Sequence, residues 1–455
     1  MLSSSAPVAN WRQCTINRRR LVVPVRSATV GIDLGTSNSA VAAVVDGKPT
    51  MIPLDNGALT MPSAVSFVKD KDPLVGVESK TAGESANTFY EVKRLIGQNF
   101  GDVTEEAENL AYEVVEASDG CAHVYVPAID GPVAPENISS IILRKLIDRA
   151  EEFLGEPVEK VVITVPAFFD ATRKGATITA AGMAGLENVA LIQEPVAAAL
   201  AYGLGRPRDQ DTILVLDMGG GTYDVSILES FEGMLEVVST AGDSYLGGSD
   251  FDRKILNWAA EASISNGGPD PRLDAVDLRR LLHSAENAKM ALGEEDHVDI
   301  NFTAGGRPQT ASLDEEVFSK ITRDLEERLW PPLQSAGEEA KIDWMERPTS
   351  SADTSDSTSP ATVSDPWTPP PRRITKVVLA GGSSQLPVVK GLVSHITGIG
   401  DLRCPVDPKL CVALGAAVFG AMMEGGVGNM ELMDGSYASG MHDRVSGFQI
   451  LANDR

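Results

Sequence analysis

The stretch GIDLGTSNSAVAAVVDG, residues 31–47, decides how the chain is read. An apolar run ends on Asp33, a tight turn of Gly35, Thr36, Ser37 and Asn38 follows, and a second apolar run begins. Glycine lets backbone N–H groups close on a phosphate oxygen, successive N–H groups form an anion nest, and the hydroxyls add donors. Yet the stretch has no lysine and does not fit the G-x-x-x-x-G-K-[ST] phosphate loop. Something other than a lysine in the turn must meet the phosphate charge, and the acid must hold something other than phosphate.

The same logic recurs at LVLDMGGGTYDVSILESFEG, residues 214–233. Asp217 takes the place of Asp33, Thr222 that of Thr36, and Gly219, Gly220 and Gly221 form the turn. A third turn, VVLAGGSSQLP (residues 377–387), also follows a strand-like run. One glycine-rich hairpin is a weak signal. Two with matched acid and hydroxyl positions suggest facing hairpins that grip one ligand. Two carboxylates repel a phosphate unless a divalent cation stands between them. Magnesium favours oxygen ligands and keeps several waters, so Asp33 and Asp217 can hold it through its hydration shell while it bridges phosphates.

Around these turns, short apolar runs alternate with helical patterns, an α/β signature. TVGIDLG, AVAAVV, SAVSFV and KVVITVPAFF read as strands. The spacing of Ile138, Ile141, Ile142, Leu146, Ala150 and Phe153 predicts one helix face, entered at Pro135 and left at Gly155. The 455 residues suffice for two to four domains or lobes. A formal net charge of -25 leaves no basic face for nucleic acid. No stretch is long and apolar enough to span a bilayer. The four cysteines form no CxxC pair and read as reduced thiols in packing positions.

Two segments depart from this pattern. The first 29 residues hold five arginines, several serines and no acid, the composition of an organelle transit peptide. Residues 1–28 are therefore expected to be a leader, with the plastid the favoured destination and the mitochondrion the alternative. Residues 348–371 contain 17 Ser, Thr or Pro in 24 positions and read as a disordered surface insertion within a domain.

GIDLGTSNSAVA, YEVKRLIGQNF, VVITVPAFF, ALIQEPVAAALAYG, VLDMGGGTYDVSI, GDSYLGGSDFD and VVLAGGSSQLP follow one another in the order found in the nucleotide-binding domain of the heat shock protein 70 (DnaK-type) chaperones, which the chain resembles from about Val30 to about Met423. The resemblance implies an actin-like ATPase fold over residues 29–425, with two α/β lobes of duplicated origin and a nucleotide cleft between them. It implies slow ATP hydrolysis with magnesium and potassium, and J-domain or nucleotide-exchange co-chaperones as partners. Asp33 and Asp217 match the aspartates that hold hydrated magnesium. Thr36, Ser37 and Asn38 match the first phosphate turn, Gly219, Gly220, Gly221 and Thr222 the second. Lys93 matches the family's essential lysine, while Glu194 and Asp224 match acids that position water and cations, in keeping with phosphoryl transfer by positioning and charge stabilisation. Glu286 and Lys289 match a ribose-contacting pair, Gly247 and Gly248 the turn before a helix, and Gly381, Gly382 and Ser383 the nucleoside and α-phosphate turn. Pro166 and Arg173 match a switch pair that relays nucleotide state.

The chain also departs from the family pattern. PAFFDATR is one residue shorter than usual between Pro166 and Arg173. Met290 and Gln385 stand where many relatives place adenine-stacking arginines. Gly293 replaces a serine, Lys409 an acid and Ser249 a glutamate. Residues 426–455 are expected to be a tail with too few residues for the family's substrate domain. The reading is an ATP-binding, weakly hydrolysing chaperone-like protein. The alternative is a non-catalytic, nucleotide-dependent binding or regulatory module. A metabolite kinase of the same superfamily fits less well, since no sugar-binding set is evident. Replacing residues 348–371 by a short Gly-Ser loop should leave the melting temperature and ATP binding nearly unchanged; a large loss of stability would mean that this segment folds onto the domain.

Overall fold

A computed structural model describes residues 28–82, 85–107, 110, 112–206, 210–292, 295–345, 372–402 and 404–424. Residues 1–27 of the expected leader 1–28, the insertion 348–371, the tail 426–455 and Gly293 lie outside them, while Ala28 already belongs to a strand.

Two sheets share one plan. In the first, Ala28–Leu34, Asn38–Val45 and Lys48–Met51 run as an antiparallel meander, and Val158–Val165 lies parallel beside Ala28–Leu34, with Asn188–Gln193 beyond it. Met61–Pro62 adds a short edge on Asn38–Val45. In the second, Gln210–Met218, Tyr223–Phe231 and Met234–Asp243 form the meander, and Lys376–Ala380 lies parallel beside Gln210–Met218. A parallel neighbour needs a crossover. The helix Pro135–Leu154 lies on the first crossover, and Gly248–Ser265 and Ala275–Ala291 on the second. Pro135 and Gly155 bound the first of these helices as the sequence implies, with Gly155 at φ 72° in the left-handed conformation that suits glycine at a helix end. Phe153 departs from the expected apolar face: it is half exposed, while Ile142, Leu146 and Ala150 are buried and Leu154, in the same final turn, packs against the core.

Alternation along the strands splits their side chains between layers. Val30, Ile32 and Val41 face one core, closed by Ile138, Ile142, Leu146 and Ile147. Leu214, Leu216, Val225 and Ile227 face another, closed by Phe251, Ile255, Leu281 and Val389. A third core lies between the sheets. There Ala40, Ala42 and Val162 of the first sheet and Ile213, Val215 and Val378 of the second pack on the helices Glu194–Ala201 and Cys411–Met423. A helix apolar all round must be buried, and CVALGAAVFGAMM is buried from Cys411 to Val418 and at Gly420, opening to solvent at Met423. No helix among the described residues is long and apolar enough to cross a membrane. Cys121, Cys404 and Cys411 carry free thiols, and Cys14 lies outside the described residues.

Small residues let these layers close. A Cβ at Gly415 would stand 1.7 Å from the Ala197 carbonyl oxygen, and one at Gly31 would stand 2.1 Å from the Ala417 nitrogen. Both obstacles are backbone, so no rotamer change can relieve them. Gly415→Ala should cost about 1–3 kcal/mol through overpacking, read as a lower urea midpoint with an unchanged slope. Gly391→Ala is the control, since its Cβ would meet open space within the helix Pro387–Thr397. It should be neutral or stabilising by up to about 1 kcal/mol. Equal midpoints for Gly415→Ala and wild type would refute the close helix contact.

Candidate functional site

Both meanders end their first strand on an acid at the same edge. Asp33 sits near the end of Ala28–Leu34, and Asp217 near the end of Gln210–Met218. Thr164, fully buried on the neighbouring parallel strand, donates to Asp33 Oδ1 at 3.4 Å. Asp217 lies directly opposite Asp224 in the antiparallel register. Like charges facing each other across a ladder oppose pairing, so this register implies a demand for positive charge. Lys93 supplies part of it: its ammonium lies 2.5 Å from Glu194 Oε1, both side chains being almost buried.

The electrostatics follow from burial. Asp33 is pushed up from 3.8 to about 7, first by burial and then by Glu194, with Lys93 and the Thr164 bond pulling the other way. Asp224 is likewise raised to about 7 by burial and Glu194, against the Thr222 bond, Lys93 and Arg173. Asp217 is raised well above the ordinary carboxylate value by burial, then by Glu194, Asp224 and Asp33. Four acids thus converge on one buried lysine, an arrangement that a bound cation would relieve. Among the described residues no group of three or more His, Cys, Asp or Glu side chains forms a direct metal cage. The set therefore fits a hydrated ion held by two carboxylates and a phosphate better than an ion enclosed by protein.

A cleft of about 1240 Å³ opens over these acids. Of the residues singled out from sequence, Asp33, Thr36, Ser37, Asn38, Lys93, Glu194 and Asp217 line it. So do Gly219, Gly220, Gly221, Thr222, Glu286, Lys289, Gly381, Gly382 and Ser383. Pro166, Arg173, Ser249, Met290, Gln385 and Lys409 line it as well. The first and second turns touch: a Cβ at Gly220 would lie 2.4 Å from Ser37 Oγ. Gly381, at φ 74°, brings the third turn against the Met218 carbonyl and Asp217, where a Cβ would stand 2.3 Å from Met218 O and 2.8 Å from Asp217 Oδ1. Gly220 and Gly381 have no room for a Cβ, whereas Gly219 faces open space, so backbone N–H groups stay accessible to a ligand along the second turn.

Four residues sit differently from the simplest picture. Asp224 lies behind the cleft, on a separate cavity of about 10 Å³ shared with Glu194, Asp217, Pro166 and Thr240. Gly247 and Gly248 are absent from the cleft lining. The Gly248 and Ser249 N–H groups donate to the Gly219 and Gly220 carbonyls at 3.0 and 2.7 Å, so this segment buttresses the second turn from outside. Lys289 does not pair with its helical neighbour Glu286. Its ammonium lies 2.8 Å from Asp252 Oδ1 and donates to the Gly248 carbonyl at 2.9 Å.

The Lys93 turn is itself held from two sides. Glu91, at φ 57°, turns the chain into the short helix Val92–Arg94. Arg173, on Ala171–Met183, donates to the Lys93 carbonyl at 3.1 Å and stacks 3.9 Å over the Phe169 ring. Phe169 N in turn donates to the Pro166 carbonyl at 3.2 Å. Arg94, next to Lys93 in YEVKRLIGQNF, has no role that its sequence context signals; its side chain crosses the cleft and donates to the Gly221 carbonyl at 2.6 Å. Asp252, missed altogether, anchors Lys289, and no local spacing signals a partner 37 positions away in the chain.

A family profile described as "Hsp70 protein" matches residues 29–347 and 369–439. The chain belongs to the Hsp70 family. It is 39% identical over 427 residues to "Heat shock 70 kDa protein 7, chloroplastic" of Arabidopsis thaliana, covering 91% of this chain and 55% of that protein. It is 39% identical to "Stromal 70 kDa heat shock-related protein, chloroplastic" of Pisum sativum, covering 90% and 55%. It is also 39% identical to "Chaperone protein dnaK" of Cyanidioschyzon merolae, covering 89% and 63%. The chain spans a little over half the length of the curated relatives it matches. The chloroplastic names of these Hsp70 relatives support a plastid location. Hsp70 family membership implies the actin-like ATPase fold and the binding of ATP or ADP with Mg²⁺.

The raised carboxylates make the metal-free protein pH-sensitive. Asp33 and Asp224 take up protons on folding wherever the pH lies between 3.8 and about 7. The native state binds more protons than the unfolded one in that window, so stability falls as pH rises through it. In chelator, wild type should be more stable at pH 5 than at pH 8. Asp33→Asn, which has no proton to take up, should flatten that slope in urea titrations at several pH values. An identical slope in the variant would remove Asp33 from the account.

Proposed function

We propose that this chain is a nucleotide-binding ATPase module of a plastid chaperone, in which two sheet-centred lobes close on MgATP and hydrolyse it slowly. The observation that carries the reading is two glycine-containing turns that meet at Ser37 and Gly220 beside Asp33 and Asp217, with Glu194 and Asp224 converging on the same buried Lys93. Backbone N–H groups of residues 35–38 and 219–222 are suited to triphosphate oxygens, and the hydroxyls of Thr36, Ser37 and Thr222 add donors. Asp33 and Asp217 would hold the hydrated magnesium. When bound, the ion neutralises triphosphate charge; potassium would serve the same acids as a second, weaker counter-ion.

Catalysis then falls to residues already oriented by the protein. Lys93 would share its ammonium between Glu194 and the transferring phosphoryl group, stabilising charge that develops there. Glu194 and Asp224, with Thr222, would orient the attacking water. Glu286 and Lys289 face the nucleoside end, with Lys289 braced by Asp252. Gly247 and Gly248 act through the second turn rather than by direct contact. Pro166 and Arg173 connect the Lys93 turn to Glu194 and so could report nucleotide state to co-chaperones of the J-domain or exchange-factor type. At the base end, Met290, Gln385 and Lys409 replace the arginine planes and acid of many relatives, which favours weak discrimination between ATP and GTP. Those same substitutions support the second reading, a nucleotide-dependent binding module that does not turn over.

Calorimetry with ATP, with and without magnesium, tests the metal assignment. Asp33→Ala and Asp217→Ala should lose the magnesium dependence, and affinity that ignores magnesium in wild type and both variants would sink it. Lys93→Ala should keep ATP affinity within a few-fold and lower single-turnover hydrolysis by about 10²–10³. A wild type without turnover above buffer would transfer the case to the binding module.

A further inference from the structure

Lys93 and Arg94 are neighbours on one short helical turn, yet their charged ends diverge. Lys93 points to Glu194, at the head of the helix between the sheets. Arg94 points across the cleft. Its guanidinium donates to the Gly221 carbonyl at 2.6 Å and lies 5.9 Å from the centre of the Tyr245 ring. Glu91 Oε2 steadies it from its own side at 3.4 Å, and the side chain is only 13% exposed. The contact is tight: a Cβ at 221 would stand 2.4 Å from Arg94 Nη2, so a side chain there would displace the guanidinium.

The two ends of this bridge belong to different cores. Val92 and Leu95, which flank Lys93 and Arg94, are buried in the first core, while Leu246 and Met218, which flank Tyr245 and the second turn, are buried in the second. Tyr245 is anchored independently. Arg328 donates to the Tyr245 carbonyl at 3.0 Å and holds Asp243 through two nitrogens at 2.7–3.0 Å. The far side is therefore a fixed post.

We propose that Arg94 is a positioning residue that clamps the closed cleft by tying the second glycine turn to the Lys93 turn. The proposal rests on the nucleotide reading above for its functional consequence. A guanidinium bonded to a peptide oxygen is a charge-assisted contact, stronger than a neutral hydrogen bond and directional. Pulling the cores apart must either break it or drag the Lys93 turn with the second glycine turn. In the first case Arg94 sets a barrier to nucleotide release; in the second it carries cleft opening to Lys93. Both make the residue beside the lysine a determinant of residence time, and its effect belongs in the dissociation rate rather than the association rate.

Hydrogen–deuterium exchange on the nucleotide-free full chain tests the clamp without assuming a ligand. Arg94→Met should speed exchange of amides 219–223 and 92–95 about fivefold or more, Arg94→Lys should restore part of the protection, and Tyr245→Leu should give a smaller increase at 219–223. Stopped-flow release of a fluorescent ADP with magnesium should accelerate about tenfold in Arg94→Met, with association changed less than threefold. Unchanged exchange at 219–223 overturns the clamp, as does a uniform loss of protection that includes 376–380, which would mark a merely structural role. A wild type that fails to bind ADP refutes the nucleotide reading instead, while the exchange result still decides the clamp.

Discussion

The contact of Gly415 with the Ala197 backbone is the constraint on which the cleft depends. The helices Glu194–Ala201 and Cys411–Met423 lie between the two sheets. They pack on each other at backbone distance because Gly415 carries no Cβ, and the helix Cys411–Met423 closes on the strand Ala28–Leu34 because Gly31 carries none. If that spacing widened, each sheet could keep its own outer core, since the helices on the outer faces contact one sheet each. What would be lost is the approach of Asp33 to Asp217, whose strands belong to different sheets. The acids interact only because the inner layer is thin, and Asp217 indeed feels Asp33. Glu194 completes the coupling, for it opens one of the two inner helices and faces Lys93 from there.

That proximity is unfavourable for an empty site. Carboxylates with little water around them lose solvation, and neighbours of the same sign raise the cost of each charge. The fold nevertheless holds three aspartates and a glutamate against one buried lysine. Local rules of pairing are broken where the chemistry lies, notably at the Asp217–Asp224 register, as expected where selection has favoured function over local stability. The stability conceded here is recovered by any ligand set that brings positive charge and binds only the native state.

Much of this was legible in the sequence because it is local. Asp33 and Asp217 announce themselves as acids that end apolar strands before glycine-rich turns, and Pro135 and Gly155 bound their helix by backbone rules alone. What could not be read was the allocation of donors and charges over long separations. Lys289 has Glu286 at helical spacing, yet its partner is Asp252, on another helix. The N–H groups of Gly248 and Ser249 are spent on the Gly219 and Gly220 carbonyls. Arg94 is an ordinary basic residue until its turn and the Gly221 turn are placed face to face. In each case the pattern restricts the residue to an element, and tertiary packing chooses its partner. Phe153 shows the same limit for apolar periodicity, which assigns a face but not which of its residues tertiary packing covers.

The charge distribution resolves an apparent conflict between a net charge of -25 and an anionic ligand. Nine lysine or arginine residues and seven aspartate or glutamate residues line the cleft. The cleft is therefore near neutral or slightly positive while the rest of the surface carries the acid excess. Exposed charges act over about 8–10 Å at physiological salt, so distant surface acids scarcely oppose a phosphate entering the cleft. Charges at its walls act through less water and are focused there. Net charge thus bears on the long, uniform phosphate backbone of a nucleic acid, which must lie across the outer surface. On the proposed reading it does not bear on a single nucleotide, whose phosphates would meet only the glycine turns, Lys93 and a cation held by Asp33 and Asp217.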